Sequence, residues 1–208
     1  MKRPASAVLA ASILLAFATG GIARAEDSKN DSDFTKRLFA ADISKQKKSY
    51  ACFVRKYDAA HLASHPLQKV SAMTVLVTAE LDGEGADQSL MRSFRFGVKF
   101  RNRPGDFDSS GFCGKADVNE ESNGKVQMNC GVDCDGGGVA VEIGKTDNTV
   151  LVRLERIRIW RNNKPDDEGL SLSGGADDRV FRLDRAPLEM CRSLVTDRKE
   201  LAALRTKR

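Results

Sequence analysis

Phe94-Arg95-Phe96-Gly97-Val98-Lys99-Phe100-Arg101 alternates apolar with polar or small residues without a break. Side chains on an extended backbone point to opposite faces in turn, so Phe94, Phe96, Val98 and Phe100 share one face and the cations the other. The segment reads as a β-strand with one buried side and one wet side. The same period of two continues outward in both directions. Met73, Val75, Val77 and Ala79 share a parity, as do Val126, Met128 and Cys130, then Val139, Val141 and Ile143, then Phe181 and Leu183. Turn-formers separate these runs: Asp82-Gly83, Pro104-Gly105, Asn123-Gly124, Gly136-Gly137-Gly138, Asp147-Asn148 and Gly174-Gly175. Gly and Asn tolerate the positive φ that tight hairpins need. Roughly eight or nine strands joined by short turns predict an all-β antiparallel meander.

One irregularity bears on how the sheet closes. From Val150 to Trp160 the apolar parity changes once, with Val152 and Leu154 on one phase and Ile157 and Ile159 on the other. A β-bulge near Glu155-Arg156 would restore one apolar face and bend the strand. Bent strands turn the corners of small barrels, so a barrel is expected over a sandwich. Its interior would be lined by Phe94, Phe96, Phe100, Met73 and Met128. The period then becomes helical. Pro187 suits a first helical position, Leu188, Cys191, Leu194 and Val195 follow at helical spacing, and Asp197 with Glu200 resembles a capping box that starts a second turn through Leu201 and Leu204.

The N-terminus belongs to another class of segment. Met1-Lys2-Arg3 is basic, Ala5 to Thr19 is apolar, and Ala23-Arg24-Ala25 is a small-residue cleavage site. These are the three parts of a secretory signal, too short for the ~20 apolar residues of a stable membrane span. We read residues 1–25 as a signal peptide, 26–49 as a polar, partly disordered segment, and 50–208 as one β domain with a C-terminal helix. In the middle segment Phe34 and Leu38 are four apart, so one helical turn can dock. The predicted location is the periplasm or the exterior, with no integral membrane segment after cleavage. The chain carries 34 basic and 29 acidic residues, but Lys2, Arg3 and Arg24 lie in the signal, leaving 31 against 29. A net charge near neutrality gives no reason to expect a nucleic-acid partner.

An oxidising compartment makes disulfides the first reading of the five cysteines. A two-residue Asn123-Gly124 turn sets a register that puts Cys113 opposite Cys134. That register also opposes Val118 to Asn129, so it needs a bulge. Cys113–Cys134 and Cys52–Cys191 are the expected pairs, with Cys130, inward by parity, left as a buried thiol. A redox role for Cys130-Gly-Val-Asp-Cys134 is disfavoured, because Asp133 and Asp135 raise a neighbouring thiol's pKa.

The remaining chemistry is sparse. His61 and His65, the only histidines, stand four apart behind Asp58, a candidate helix cap. That spacing places two imidazoles on one face, yet zinc wants at least three protein ligands and Pro66 disfavours helix at His65. Acidic residues crowd the turns (Glu84 and Asp87, Glu120 and Glu121, Asp166 and Asp167 among them) without the ligand spacing of a calcium loop. Arg95, Lys99, Arg101, Arg153, Arg156 and Arg158, with Trp160 at the edge, would form a cationic patch if their strands are neighbours. No catalytic constellation stands out, and no cofactor is implied. The sequence therefore predicts an exported, non-catalytic β domain binding a small ligand or an envelope partner. Its alternatives are a metal site or enzyme built on His61 and His65, and an interaction protein acting through the basic face.

Overall fold

A computed structural model describes residues 20–83, 89–118, 122–162 and 168–206. Much of the expected signal, and the acidic residues Glu84, Asp87, Glu120, Glu121, Asp166 and Asp167, therefore lie outside the described residues. Helix α1 (Gly20–Phe39) leads into β1 (Lys48–Lys56), a short helix α2 (Ala59–Ser64), β2 (Val70–Asp82), β3 (Ser89–Phe100) and β4 (Asp106–Asp117). Then come β5 (Gln127–Gly131), β6 (Gly137–Ile143), β7 (Thr149–Arg161), β8 (Leu170–Ser173) and β9 (Val180–Ala186), a 3-10 segment (Leu188–Leu194) and helix α3 (Arg198–Thr206). The protein is mostly antiparallel β-sheet, as the alternation predicts.

The sheet order is β6-β5-β4-β3-β2-β1-β9-β7-β8, and β6 also pairs with β7. Those pairings return on themselves, giving a barrel-like ring. Its two ends differ. β4 pairs with β5 through Phe112–Asp117 but meets β7 directly at Phe107 and Asp108. β5 and β6 thus widen one end only. The predicted bulge is present: Gly138 opposes Arg156 while Val139 opposes Leu154, so Glu155 is the extra residue. At that point β7 also changes neighbour, from β9 along Thr149–Arg153 to β8 along Arg156–Ile159.

Inside the ring Phe53, Met73, Phe94, Phe96, Met128 and Phe181 are all at most 1% exposed, so the centre is packed with side chains. Phe100 is half-buried at the rim, edge-on to Phe107 at 5.3 Å. Where the sequence led us to expect one docked turn, α1 runs as a full helix, and Phe34, Leu38 and Phe39 join the core at the wide end. Asp31 fixes it there, accepting from Arg92 Nη2 at 2.8 and 2.9 Å and from the Ala116 backbone N–H at 2.8 Å.

The outer face of β1, β2 and β3 is not wet, contrary to the alternation. Cys52, Leu76, Cys191, Val195 and Leu204 form a second core there, beneath the C-terminal segment. Leu194 seats over Gly97, where a Cβ would come within 2.7 Å of its Cδ2. Pro187 is the cap of the 3-10 segment, not its first residue, and its ψ of 144° turns the chain out of β9. Asp197 does cap α3, accepting from the Glu200 N–H at 2.7 Å. The Glu200 carboxylate does not return the bond to Asp197, as a capping box would; it reaches Arg95 at 2.7 and 3.2 Å and Lys48 at 3.3 Å.

That carboxylate gives the cap a pH dependence. Burial pushes the Glu200 pKa up, but the Arg95 hydrogen bonds and charge, with Lys48, hold it below the ordinary glutamate value. A depressed carboxylate stabilises the fold above the unfolded pKa of ~4.3, and the contribution fades as pH falls through the folded value. Amide protection factors across Arg198–Thr206, which correct for the intrinsic slowing of exchange in acid, should therefore be high at neutral pH and fall in acid. Glu200→Gln should flatten that dependence; an unchanged acid transition in the variant would show that another group controls it.

The disulfides correct one expected pairing. Cys52 and Cys191 are joined, with Cα atoms 5.9 Å apart. The other bond is Cys113–Cys130, not Cys113–Cys134, and Cys134 is the exposed free thiol in place of Cys130. Two register changes explain it. The turn opposes Asp117 to Gln127, and a further irregularity between Cys113 and Ala116 brings Cys113 directly across from Cys130. Directly opposed residues in an antiparallel pair are close enough to bond, and these Cα atoms lie 4.0 Å apart. Cys134 sits beyond the strand at φ 54°.

Candidate functional site at the ring seam

The two histidines share a face, as their spacing predicts, and both rings are engaged within the protein. Asp58 Oδ1 accepts from the His61 N–H at 2.7 Å and caps α2. Tyr57, His61 and His65 stack in series, with ring centroids 4.5 and 4.1 Å apart. The lone pairs of stacked imidazoles lie in parallel planes and do not converge on one ion. His61 Nε2 is engaged with Gln68 Oε1 at 3.0 Å, and His65 Nδ1 with the His61 carbonyl at 2.9 Å. Among the described residues no group of three His, Cys, Asp or Glu is placed to hold a metal. The neighbouring loop is held by Asp178, fully buried, which accepts from the backbone N–H groups of Lys69 and Val70 at 2.7 and 3.2 Å.

The expected cationic patch is divided. β4 separates the bearers on β3 from those on β7. Arg95 is drawn under α3 to Glu200, Lys99 pairs with Asp106 at 2.8 Å, and Arg153 reaches Glu142 at 3.5 Å. Arg101 donates to the carbonyls of Leu62 and His65, and Arg156 to that of Asp135. Arg158 is exposed and Trp160 half-buried. Carboxylates meet the charges of Arg95, Lys99 and Arg153, and backbone carbonyls engage Arg101 and Arg156.

A different place gathers unspent polar groups. β1 pairs with β2 along its whole length but with β9 only at Cys52–Val54. The cause is local: Pro187 has no N–H to offer a ladder, and the chain leaves the sheet there. The seam so opened is a cleft of about 1010 Å³ at the wide end, between the end of α1, the first half of β1 and the C-terminal cap. Phe39, Ala51, Leu188 and Leu204 give it apolar walls, and Ser49, Arg185, Arg192 and Arg205 its polar ones.

Ser49 shares the inward parity of Ala51 and Phe53 and is 4% exposed, yet its hydroxyl has no hydrogen-bond partner among the described residues. Arg192 Nε is likewise buried and without an acceptor there, while its Nη1 donates to Glu189. Arg185 lies over the Phe53 ring at 4.8 Å and donates to the carbonyls of Asp147 and Arg37. Burial lowers its pKa from the ordinary guanidinium value, with Asp147 opposing. Buried polar groups are nearly always paired, and Ser49 Oγ and Arg192 Nε are exceptions to that rule, as are Arg55 Nε and Ser109 Oγ elsewhere in the fold.

The sequence reading passed over this site. Its one available signal was Ser49, a polar residue on the parity that otherwise carries Ala51 and Phe53. The arginines come from β9, the 3-10 segment and α3, and only the fold brings them to β1. Compared with known proteins, the chain matches no family model, no curated protein and no solved structure.

Proposed function

We propose that this is an exported, non-catalytic binding protein that takes a small ligand into the cleft at the seam between β1 and β9. The observation that carries the reading is the cleft of about 1010 Å³ itself, walled by Phe39, Ala51, Leu188 and Leu204 with Ser49 and three arginines among them. Ligand sites of this kind are concave, largely apolar, and carry a few placed polar groups. The ring centre is packed with side chains, and the reading therefore puts the ligand in the seam, the roomiest of the clefts described. Two disulfides fit an oxidising compartment, and the signal-like leader gives the route to it.

A neutral fluorescent apolar probe, N-phenyl-1-naphthylamine, tests the cleft. Its emission should rise on binding the mature protein. Ala41→Trp, at a half-buried position in the cleft wall, should weaken that binding by about tenfold or more through lost space. Equal titration curves for both proteins would place the probe elsewhere and remove the cleft reading. For export, intact mass of the protein recovered from its producing cell should correspond to a chain beginning at Glu26. Full-length chain confined to the cytosol would end that part of the proposal.

A further inference from the structure

We infer that the open edge of β8 is a docking site for an extended, acidic peptide segment of a partner protein. The ring leaves one strand uncovered. Of the nine described strands only β8 has a single neighbour, β7. The register of that pair continues to the Gly174 N–H, which donates to the Glu155 carbonyl at 2.8 Å, so Leu170 and Leu172 bond toward β7. Alternation then turns the N–H and C=O of Ser171 and Ser173 to the free side. No described residue meets them there, and both serines are exposed. Free edges are ordinarily blunted by lysine, proline or a bulge. Leu170-Ser171-Leu172-Ser173 carries none of these, and only its shortness guards it.

Beside that edge lies a groove of about 390 Å³, bounded on its other sides by residues 66–69 and by the end of β3. It shares no residue with the cleft at the seam. Leu67 and Phe100 give it apolar surface, and Leu67, at 63%, is the most exposed large apolar side chain described. Lys69, Arg101 and Arg103 line it too, and no carboxylate does. Among the described residues none of these three cations is in an ion pair. Arg101 donates to backbone carbonyls, while Asp177 and Asp178 of the following loop accept from the backbone N–H groups of Leu67, Lys69 and Val70. An added strand takes its affinity from main-chain bonds and its specificity from alternate side chains. Here the edge supplies the first, and apolar and cationic walls select apolar residues alternating with acidic ones. A second copy adding its own β8 would bring the same cations to the contact, where like charges oppose it.

Two fluorescein-labelled peptides test it by anisotropy against the mature protein: acetyl-TVDVEVT-amide and the same sequence with lysine in place of both acids. The acidic peptide should bind about tenfold or more tightly at low salt, with the gap closing as salt rises. On binding, amide protection read by NMR should rise at Ser171 and Ser173, while Leu170 and Leu172, already bonded to β7, change little. Ser171→Pro removes an N–H that faces only the free edge, where proline is tolerated. It should weaken the acidic peptide about tenfold or more with the urea midpoint held. Arg103→Glu, at an exposed position, should lower the acidic preference about fivefold, the scale of one exposed ion pair lost and one repulsion gained. Binding without protection at Ser171 and Ser173, or binding unchanged by Ser171→Pro, overturns edge addition. Equal affinity for the two peptides overturns the acidic partner. A mature protein that sediments as a dimer, and as a monomer after Ser171→Pro, gives the edge to a second copy and overturns the peptide. Failure of both peptides to bind overturns the proposal outright.

Discussion

Removing the Cys52–Cys191 bond by replacing both residues with alanine is expected to cost about 3–5 kcal/mol, more than removing Cys113–Cys130 the same way. The bonded residues are 139 apart in the chain, against 17 for the other pair. A crosslink stabilises chiefly by restricting the unfolded chain, and the chain-entropy relation gives about 5 kcal/mol for the long loop and about 3 for the short one. Local structure widens the gap. Cys113 and Cys130 stay neighbours through the β4–β5 ladder even when reduced. The outer core has no such support. It has five buried side chains, Cys52, Leu76, Cys191, Val195 and Leu204, and two of them are the disulfide itself. Urea unfolding of the two double variants should show the larger fall in midpoint for Cys52→Ala/Cys191→Ala. Amide protection over Leu188–Thr206 should be lost in that variant before the ring opens. Equal midpoints, or the reverse order, would mean that the cap is held by its packing alone.

The ring was legible from sequence because its signal is local and redundant. Phe94 to Phe100 reports one face on one strand, and the parity change between Leu154 and Ile157 locates the bulge at Glu155. β4 was harder to read for a physical reason. Its inward positions include Ser109 and Gly111, not a run of large apolar residues. At Gly111 a Cβ would come within 1.9 Å of the Gly131 carbonyl oxygen, so the approach of β5 requires glycine there. The hairpin disulfide was misassigned by a register counted from an idealised two-residue turn, since each irregularity shifts every pairing beyond it. The C-terminal cap hid in plain sight: Arg95 has the parity of a wet residue and is still enclosed, because its charge is met by Glu200 from more than a hundred positions away. The cleft was the least legible feature. It exists because Pro187 parts β9 from β1, and the residues that line it come from segments that carry no shared motif.

The attachment of α1 is expected to depend on Asp31, and Asp31→Ala should destabilise the protein by about 3–5 kcal/mol. Arg92 is 5% exposed, on the inward parity of Phe94 and Phe96, at the wide end of the ring. Its Nη2 donates to both Asp31 oxygens and to Thr35 Oγ1 at 2.9 Å. Deleting the carboxylate leaves a buried guanidinium with a hydroxyl and no counter-charge, and strands the Ala116 N–H as well. Breaking a buried pair costs far more than replacing it whole, because the penalty is that of the uncompensated ion. Asp31→Leu combined with Arg92→Met should therefore recover most of what Asp31→Ala loses, short of the Ala116 bond. The same geometry bears on processing. Asp31, Phe34, Thr35 and Leu38, which bond or pack α1 to the ring, all lie beyond the expected cut after Ala25. A chain beginning at Glu26 should thus match the full chain in urea stability, while one beginning at Asp33 should fall as far as Asp31→Ala. A loss below about 1 kcal/mol for Asp31→Ala, the range of an exposed pair, would show that water reaches Arg92 and that the helix is not seated in the mouth.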